Sequence, residues 1–321
     1  MGEFDLIARY FSRPARHAVL GVGDDCALWQ PQAGMQLAVS SDMLVEGRHF
    51  LSTVSPQRLG HKALAVNLSD LAACGARPLA FTLALSLPHV NETWLQGFSA
   101  GLFSLAQANG CELIGGDTTQ GPLTICITVF GEIPPGDALL RSGAQVGDDI
   151  YVSGNLGDAR LALEVFRGNL QLAPDMFEAA RLRLEQPEPR VALGMALRGV
   201  ANACMDISDG LVGDLGHLLK ASGVGAVLTT DWVADSAAIS PAVHSLPMNK
   251  RLDMALAGGD DYELLFTAAP DQAHAVQEAA NACGVSVTCI GRISAGQQLQ
   301  VLDRHGVAIS RRFVSFDHFS N

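Results

Sequence analysis

The chain has 321 residues, 48% of them hydrophobic, and a formal net charge of -12. That length suits two domains, the apolar share supplies core for an ordered α/β protein, and the acidic balance excludes nucleic-acid binding through a basic face. Nucleotides held through metal ions stay open.

The elements follow in chain order. Residues 37–39 predict a short strand running into Ser40-Ser41-Asp42, and residues 59–74 a helix stopped by Gly75 and by Pro78 shortly after. Residues 79–87 read as a strand, 92–108 as an amphipathic helix ended by Asn109-Gly110, and 123–130 as another strand. Pro134-Pro135-Gly136 admits no regular element, so the division is placed there, giving domains 1–136 and 137–321. The second domain is expected to hold a strand at 150–152, a turn at 154–157 opening a helix, and a helix at 211–221. Strands at 264–266 and 285–290 flank a helix at 270–283, and no solenoid repeat is found. The longest apolar stretch, 79–87, is short and closed by Pro78 and Pro88, so a soluble protein without a membrane segment is expected. Seven cysteines form no CxxC pair and no signal segment precedes them, which points to a reducing cytoplasm and to thiols used as small core residues.

Six acidic motifs recur along this frame: Gly23-Asp24-Asp25, Ser40-Ser41-Asp42, Asn67-Leu68-Ser69-Asp70, Gly115-Gly116-Asp117, Asp206-Ile207-Ser208-Asp209-Gly210 and Gly258-Gly259-Asp260-Asp261. Two carboxylates about 4 Å apart repel by roughly 4 kcal/mol at an effective dielectric near 20, so a cluster without cations would protonate or splay. Hard divalent cations holding a polyphosphate would relieve that repulsion. Asp70 shares a helix face with Asn67 and Cys74, where a carboxylate needs partners; a hydrogen-bonded core aspartate is the plainer alternative. Gly115-Gly116-Asp117 follows Glu112-Leu113-Ile114, so the carboxylate is expected at a strand end beside backbone open to phosphate, although a plain turn has the same composition. Ser208 or Asp209 is placed to cap the helix that follows, while Asp206 and Ser208 share one side of an extended strand end. His49 follows Asp42 closely and Arg141 lies just past the division, where its guanidinium could reach phosphate; a structural histidine and a solvated arginine are the bland alternatives. Gly21-Val22-Gly23 is too short for a dinucleotide fingerprint, and no GxxxxGK[ST] loop, Ser/His/Asp triad or zinc spacing occurs.

Taken in order, these motifs resemble the thiamine-monophosphate kinases, over nearly the whole chain. The resemblance runs through Gly2-Glu3-Phe4, Gly21 to Leu28, Asp42 to Phe50 and Lys62 to Ala73. It continues through Gly115-Gly116-Asp117-Thr118-Thr119, Asp206 to Gly210, Gly258 to Leu264 and Phe316-Asp317-His318-Phe319. It implies an α/β (α+β) fold of two domains like that of aminoimidazole-ribotide synthetase and selenophosphate synthetase. Its N-terminal ATP- and Mg-binding domain dimerises through its sheet, and its C-terminal α/β domain completes a substrate cleft. It further implies ATP, several Mg²⁺ ions and thiamine monophosphate as ligands of a cytoplasmic homodimer.

Matching positions carry metal roles to Asp25, Ser40, Asp42, Asp70, Asp117, Asp206 and Asp209, with Ser41 in the same metal and nucleotide neighbourhood. Nucleotide contacts carry to Gly116, Asp117, Arg141 and Ser208, and substrate contacts to His49, Asp260 and Phe316. Asp42, Asp70, Asp117, Arg141 and Asp209 are the residues expected to support catalysis. Two departures are conservative: Asp260 stands where the family's Gly-Gly-Glu-Asp-Tyr-Glu has glutamate, and Phe316 where a larger or hydroxylated aromatic is common. Asp24 and Asp261 receive no role. The expected reaction is direct transfer of the ATP γ-phosphoryl group to thiamine monophosphate. Another ATP-dependent enzyme of the superfamily, or a non-catalytic metal-dependent sensor of thiamine phosphates or nucleotides, is the alternative.

Overall fold

The computed structural model describes residues 2–235 and 237–316, so Asp317, His318 and Phe319 lie outside the described residues. The chain forms two compact units, one of residues 1–71 with 76–136, the other of residues 72–75 with 137–321.

In the first unit, a short helix α1 (Glu3–Leu6) precedes β1 (Gln36–Val45), α2 (Pro56–Cys74), β2 (Arg77–Leu87), α3 (Glu92–Ala108), β3 (Glu112–Gln120) and β4 (Thr124–Ile133). Its sheet runs β1-β4-β2-β3; β4 is antiparallel to both neighbours and β2 is parallel to β3. Ser55 Oγ accepts the Arg58 N–H at the start of α2, and Asn91 Oδ1 accepts the Trp94 N–H at the start of α3. The apolar faces of both helices are buried through Leu64, Leu68, Leu95, Phe98 and Leu102, and the strands bury Phe81, Leu85, Ile125 and Ile127.

The second unit contains β5 (Asp149–Ser153), α4 (Asp158–Phe166), α5 (Pro174–Glu185), α6 (Val191–Ala196), β6 (Ala203–Asp206), α7 (Leu211–Ser222) and β7 (Gly225–Thr229). The short helices α8 (Asp231–Ala234) and α9 (Pro241–His244) lead to α10 (Met248–Ala257), β8 (Leu264–Ala268), α11 (Ala273–Cys283), β9 (Val287–Ser294) and β10 (Leu299–Leu302). The sheet order is β10-β7-β9-β5-β8-β6, antiparallel throughout except for the parallel β10 and β7. Its core joins Val152, Met205, Leu215, Leu218, Leu265 and Ile290. No described helix is long and apolar enough to cross a membrane.

Two expected strand ends are strand interiors. β1 continues past Ser40-Ser41-Asp42 to Val45, and β3 continues past Gly115-Gly116-Asp117 to Gln120, because the ladders to β4 and β2 hold those polar residues in register. Among the cysteines, Cys111 and Cys204 are buried as expected, and burial pushes both thiols up; Cys26 and Cys289 are exposed.

Helices α2 and α3 touch at Gly101, where a Cβ would stand 1.8 Å from the Gln57 carbonyl oxygen. Gly101→Val should therefore destabilise the protein by about 2 kcal/mol or more, since α3 must move off α2 to admit the branched chain. A thermal or urea unfolding curve no less stable than wild type would contradict this.

Candidate active site

The first group of site residues lies where α2 faces β1. Ser40 Oγ donates to Asp70 Oδ2 at 2.5 Å, and the Asp42 N–H donates to Asn67 Oδ1 at 2.9 Å. Asn67 is buried and spends its amide on the Ala63 carbonyl one turn back, so its oxygen is fixed toward the strand. The sequence spacing of Asn67 and Asp70 on one helix face thus becomes a pair of ties to alternate residues of β1. Asp70 has its hydrogen-bond partner and is only half-buried, a carboxylate at the rim of the core.

Ser41 points the other way. By strand alternation its side chain leaves the opposite face, where Oγ lies 3.0 Å from Thr128 Oγ1 and donates to the Ile127 carbonyl. The ladder places Asp117 on that face too: Asp117 pairs with Ala84, Ala84 with Cys126, and Cys126 with Met43. Ser41 is therefore separated from the Ser40, Asp42 and Asp70 group with which its sequence position joins it. Gly116, with φ of +149°, passes so near β2 that a Cβ would stand 1.9 Å from the Leu83 carbonyl oxygen. Gly116 and Asp117 also line a small cavity with Ile7, Phe11 and Val22. Asp25 sits on the exposed loop just past Val22, its N–H given to Asp24 Oδ1. His49 lies in the turn after β1, and its Nδ1 accepts the Val45 N–H at 3.0 Å, which leaves the proton of a neutral ring on Nε2.

A second group forms in the other unit around the loop after β6. Asp206 ends that strand, and neither Ser208 nor Asp209 caps α7, contrary to expectation. The polarity is reversed: Asp214, one turn into the helix, accepts the N–H groups of Ser208, Asp209 and Gly210 on Oδ2, each at 3.1 Å. Burial and the nearby Asp209 raise the Asp214 carboxyl to about 6, against the pull of those N–H donors. The segment carrying Asp260 wraps this loop, with Asp260 N–H donating to Ser208 O and Tyr262 N–H to Ile207 O, both at 2.8 Å. Phe316 joins the group through its N–H to Asp209 O at 3.0 Å, and its side chain is exposed.

Asp206, Ser208, Asp209, Asp260 and Phe316 thus share one neighbourhood drawn from three distant stretches of sequence. Arg141 does not join it within this unit. Its carbonyl accepts from Ser222 Oγ at the carboxyl end of α7, whereas the loop lies at the amino end. Among the described residues, no three His, Cys, Asp or Glu side chains converge closely enough to hold a metal by themselves. The oxygen-only donor set of Ser40, Asp42 and Asp70 nonetheless suits a hard cation, because the Ser40 proton is committed to Asp70 and its lone pairs are not. Asp261, which the sequence leaves without a role, is buried, accepts the Gly157 N–H at the start of α4, and has its carboxyl pushed well above the usual range by burial. Asp214 and the arginines around Glu263 were not singled out by sequence. For Asp214 the one signal is a charged residue inside an otherwise apolar stretch; Arg183 and Arg190 lie in a segment already rich in charge.

Residues 23–133 match the family model for the AIR synthase related protein, N-terminal domain, and residues 145–304 that for its C-terminal domain. The fold is that of the two-domain AIR synthase-related proteins. A thiamine-monophosphate kinase of Salmonella typhimurium is 46% identical over 324 residues, covering 99% of this chain and 98% of that protein. The crystal structure of thiamine-monophosphate kinase from Stenotrophomonas maltophilia K279a superposes with a TM-score of 0.85 at 47% identity, over 95% of this chain and 96% of that one. AaThiL complexed with AMPPCP and TMP superposes with a TM-score of 0.77 at 29% identity, over 90% and 89% of the two chains. The chain belongs to the thiamine-monophosphate kinase family.

Removing Asp214 should strip three backbone N–H groups of their acceptor at once. Asp214→Ala is expected to lower stability by about 1–3 kcal/mol in urea unfolding. An unchanged midpoint and slope would show that the loop does not depend on that carboxylate.

Proposed function

We propose that this protein is an ATP-dependent phosphotransferase that converts thiamine monophosphate and ATP to thiamine diphosphate and ADP. Family membership over the full length supports it, and the observation that carries it to particular residues is the tying of Asp70 to Ser40 and of Asn67 to Asp42. An oxygen of the substrate phosphate attacks the γ-phosphorus in line. One O–P bond forms as the bond to the β-phosphate bridging oxygen breaks, and ADP leaves with that electron pair. The acceptor is a phosphate monoester whose second pKa is near ~6, so it is already anionic at neutral pH and needs no general base. Positioning and relief of charge repulsion are what the protein must supply.

In this reading Asp25, Ser40, Ser41, Asp42, Asp70, Asp117, Asp206 and Asp209 would hold several Mg²⁺ ions, with Ser41 and Asp117 on the opposite face of the sheet from Ser40 and Asp42. The bound ions would neutralise the phosphate oxygens and bring two polyanions together. Ser40 and Asp70 are held ready by their mutual hydrogen bond, and Asn67 fixes the backbone of Asp42. Gly116, Asp117, Arg141 and Ser208 bind the nucleotide; Gly116 does so because its bare backbone lets phosphate approach closely. His49, Asp260 and Phe316 bind thiamine monophosphate. Phe316 offers an exposed ring for stacking, and Asp260 a carboxylate for the positive ring. The setting is the cytoplasm.

The decisive assay follows ADP and thiamine diphosphate formed by purified protein with ATP, Mg²⁺ and thiamine monophosphate. ADP that never appears in step with thiamine diphosphate would overturn the function, and binding without turnover would favour a sensor. Asp70→Asn should reduce kcat by about 100-fold or more while the unfolding transition moves little. An unfolded variant would make Asp70 a core-stabilising residue instead.

The protein further acts as a homodimer joined through the open face of its first sheet. On the exposed side of β1, Leu37, Val39 and Met43 are 51%, 55% and 55% exposed, an apolar row on an edge strand that a monomer would leave in water. Val39→Glu should shift the molar mass in sedimentation or light scattering from dimer to monomer. A wild-type protein that is already monomeric would refute the assembly.

A further inference from the structure

The carboxylate of Glu263 is completely buried in the second unit. Its Oε1 accepts from Arg183 Nη2 and Arg190 Nη2, both at 2.6 Å, and its Oε2 from Arg190 Nε at 2.6 Å and Ser153 Oγ at 2.5 Å. Ser153 Oγ in turn accepts the Leu264 N–H at 2.8 Å. A Cβ on Gly154 would stand 2.1 Å from this carboxylate, so the chain leaves a hole of the right size for it.

Around Glu263 the backbone is laced to the loop after β6. Ile207 N–H donates to Glu263 O at 2.9 Å, and the Tyr262 and Asp260 N–H groups donate to Ile207 O and Ser208 O. Between those ties Asp260 and Tyr262 adopt left-handed backbone, with φ of 66° and 50°, without being glycine. Such conformations persist only where the surroundings over-determine them. The Tyr262 hydroxyl, 3.1 Å from Asp260 Oδ1, then fixes the direction of that carboxylate.

We infer that Glu263, gripped by Arg183, Arg190 and Ser153, is a positioning residue that locks the 258–262 turn and so sets how tightly thiamine monophosphate binds through Asp260. The inference rests on the substrate role proposed for Asp260. Glu263 acts through the turn and not on the substrate. Glu188 meets the same two arginines from the exposed side, at 3.1 Å and 4.0 Å, so a neutral side chain at 263 would leave it to draw both guanidiniums outward.

The test is steady-state kinetics of the full chain with ATP and Mg²⁺, varying thiamine monophosphate, for Asp260→Ala, Glu263→Gln, Arg183→Lys and the double variant of the first two. Glu263→Gln should raise KM for thiamine monophosphate about tenfold with kcat within about threefold, and the double variant should be no worse than Asp260→Ala alone. Should Glu263→Gln fail to fold, Arg183→Lys disturbs one bond to the same carboxylate and should raise that KM about threefold. A folded Glu263→Gln, or failing that Arg183→Lys, with unchanged KM overturns the inference. So does a loss confined to kcat in proportion to inactive protein, or a double variant whose effects multiply. If Asp260→Ala leaves KM unchanged, the substrate reading of Asp260 itself has failed, whatever Glu263 does, and the inference falls with it.

Discussion

A carboxylate that stays charged away from water must be surrounded by donors, and in the second unit that requirement draws distant segments together at Glu263, beside the loop after β6. Glu263 draws an arginine from the end of α5, a second arginine from just before α6, a hydroxyl from the end of β5 and the missing side chain of Gly154 to one point. Taking one partner out of such a buried pair typically costs about 3–5 kcal/mol, more than most single contacts contribute. The strands themselves are held by ordinary ladders. The turn that leads into β8, which has no ladder, borrows its definition from this ion cluster.

The first unit ties its acidic residues in more than one way. The ties at Ser40, Asp42 and Asp70 include a serine hydroxyl and an asparagine amide, while the buried Glu132 of β4 is met by the guanidinium of Arg77. That difference matches the exposures. A half-buried Asp70 keeps part of its solvation, whereas a fully buried Glu263 keeps none. The loop at Ser208–Gly210 stands between the extremes, with three backbone donors on the single oxygen of Asp214.

Much of this was legible in the sequence where the chain punctuates itself. Helix α3 has the bounds its periodicity predicts, between the Asn91 cap and Asn109-Gly110, and α2 stops before Gly75 as expected. The strands β2, β5 and β8 were found as apolar runs, each extended by one or two residues. Failures came where polar residues sit inside strands. Ser40, Asp42 and Asp117 were read as endings, because a sequence does not reveal that a neighbouring strand continues past them. The side on which Ser41 lies was not legible for the same reason, since alternation fixes sides only once the strand is known to run straight through. Short elements such as β6, β7 and α6 depend on burial by distant segments and carry little periodicity of their own. The guanidiniums of Arg183 and Arg190 were invisible because charge patterning says nothing of a partner 80 and 73 residues away.

The left-handed backbone at Asp260 gives the exchange of aspartate for the family's more usual glutamate a physical sense. A short side chain that can hydrogen-bond locally tolerates positive φ better than a longer, more flexible one, so aspartate eases a turn whose strain is otherwise on the order of 1–3 kcal/mol. What it gives up is one methylene of reach toward any bound ring. With the substrate role proposed for it, position 260 therefore has two masters, the backbone that must bend there and the ligand it would meet. A chain that chooses the shorter acid has favoured the bend, so a ligand held through it would have to come closer.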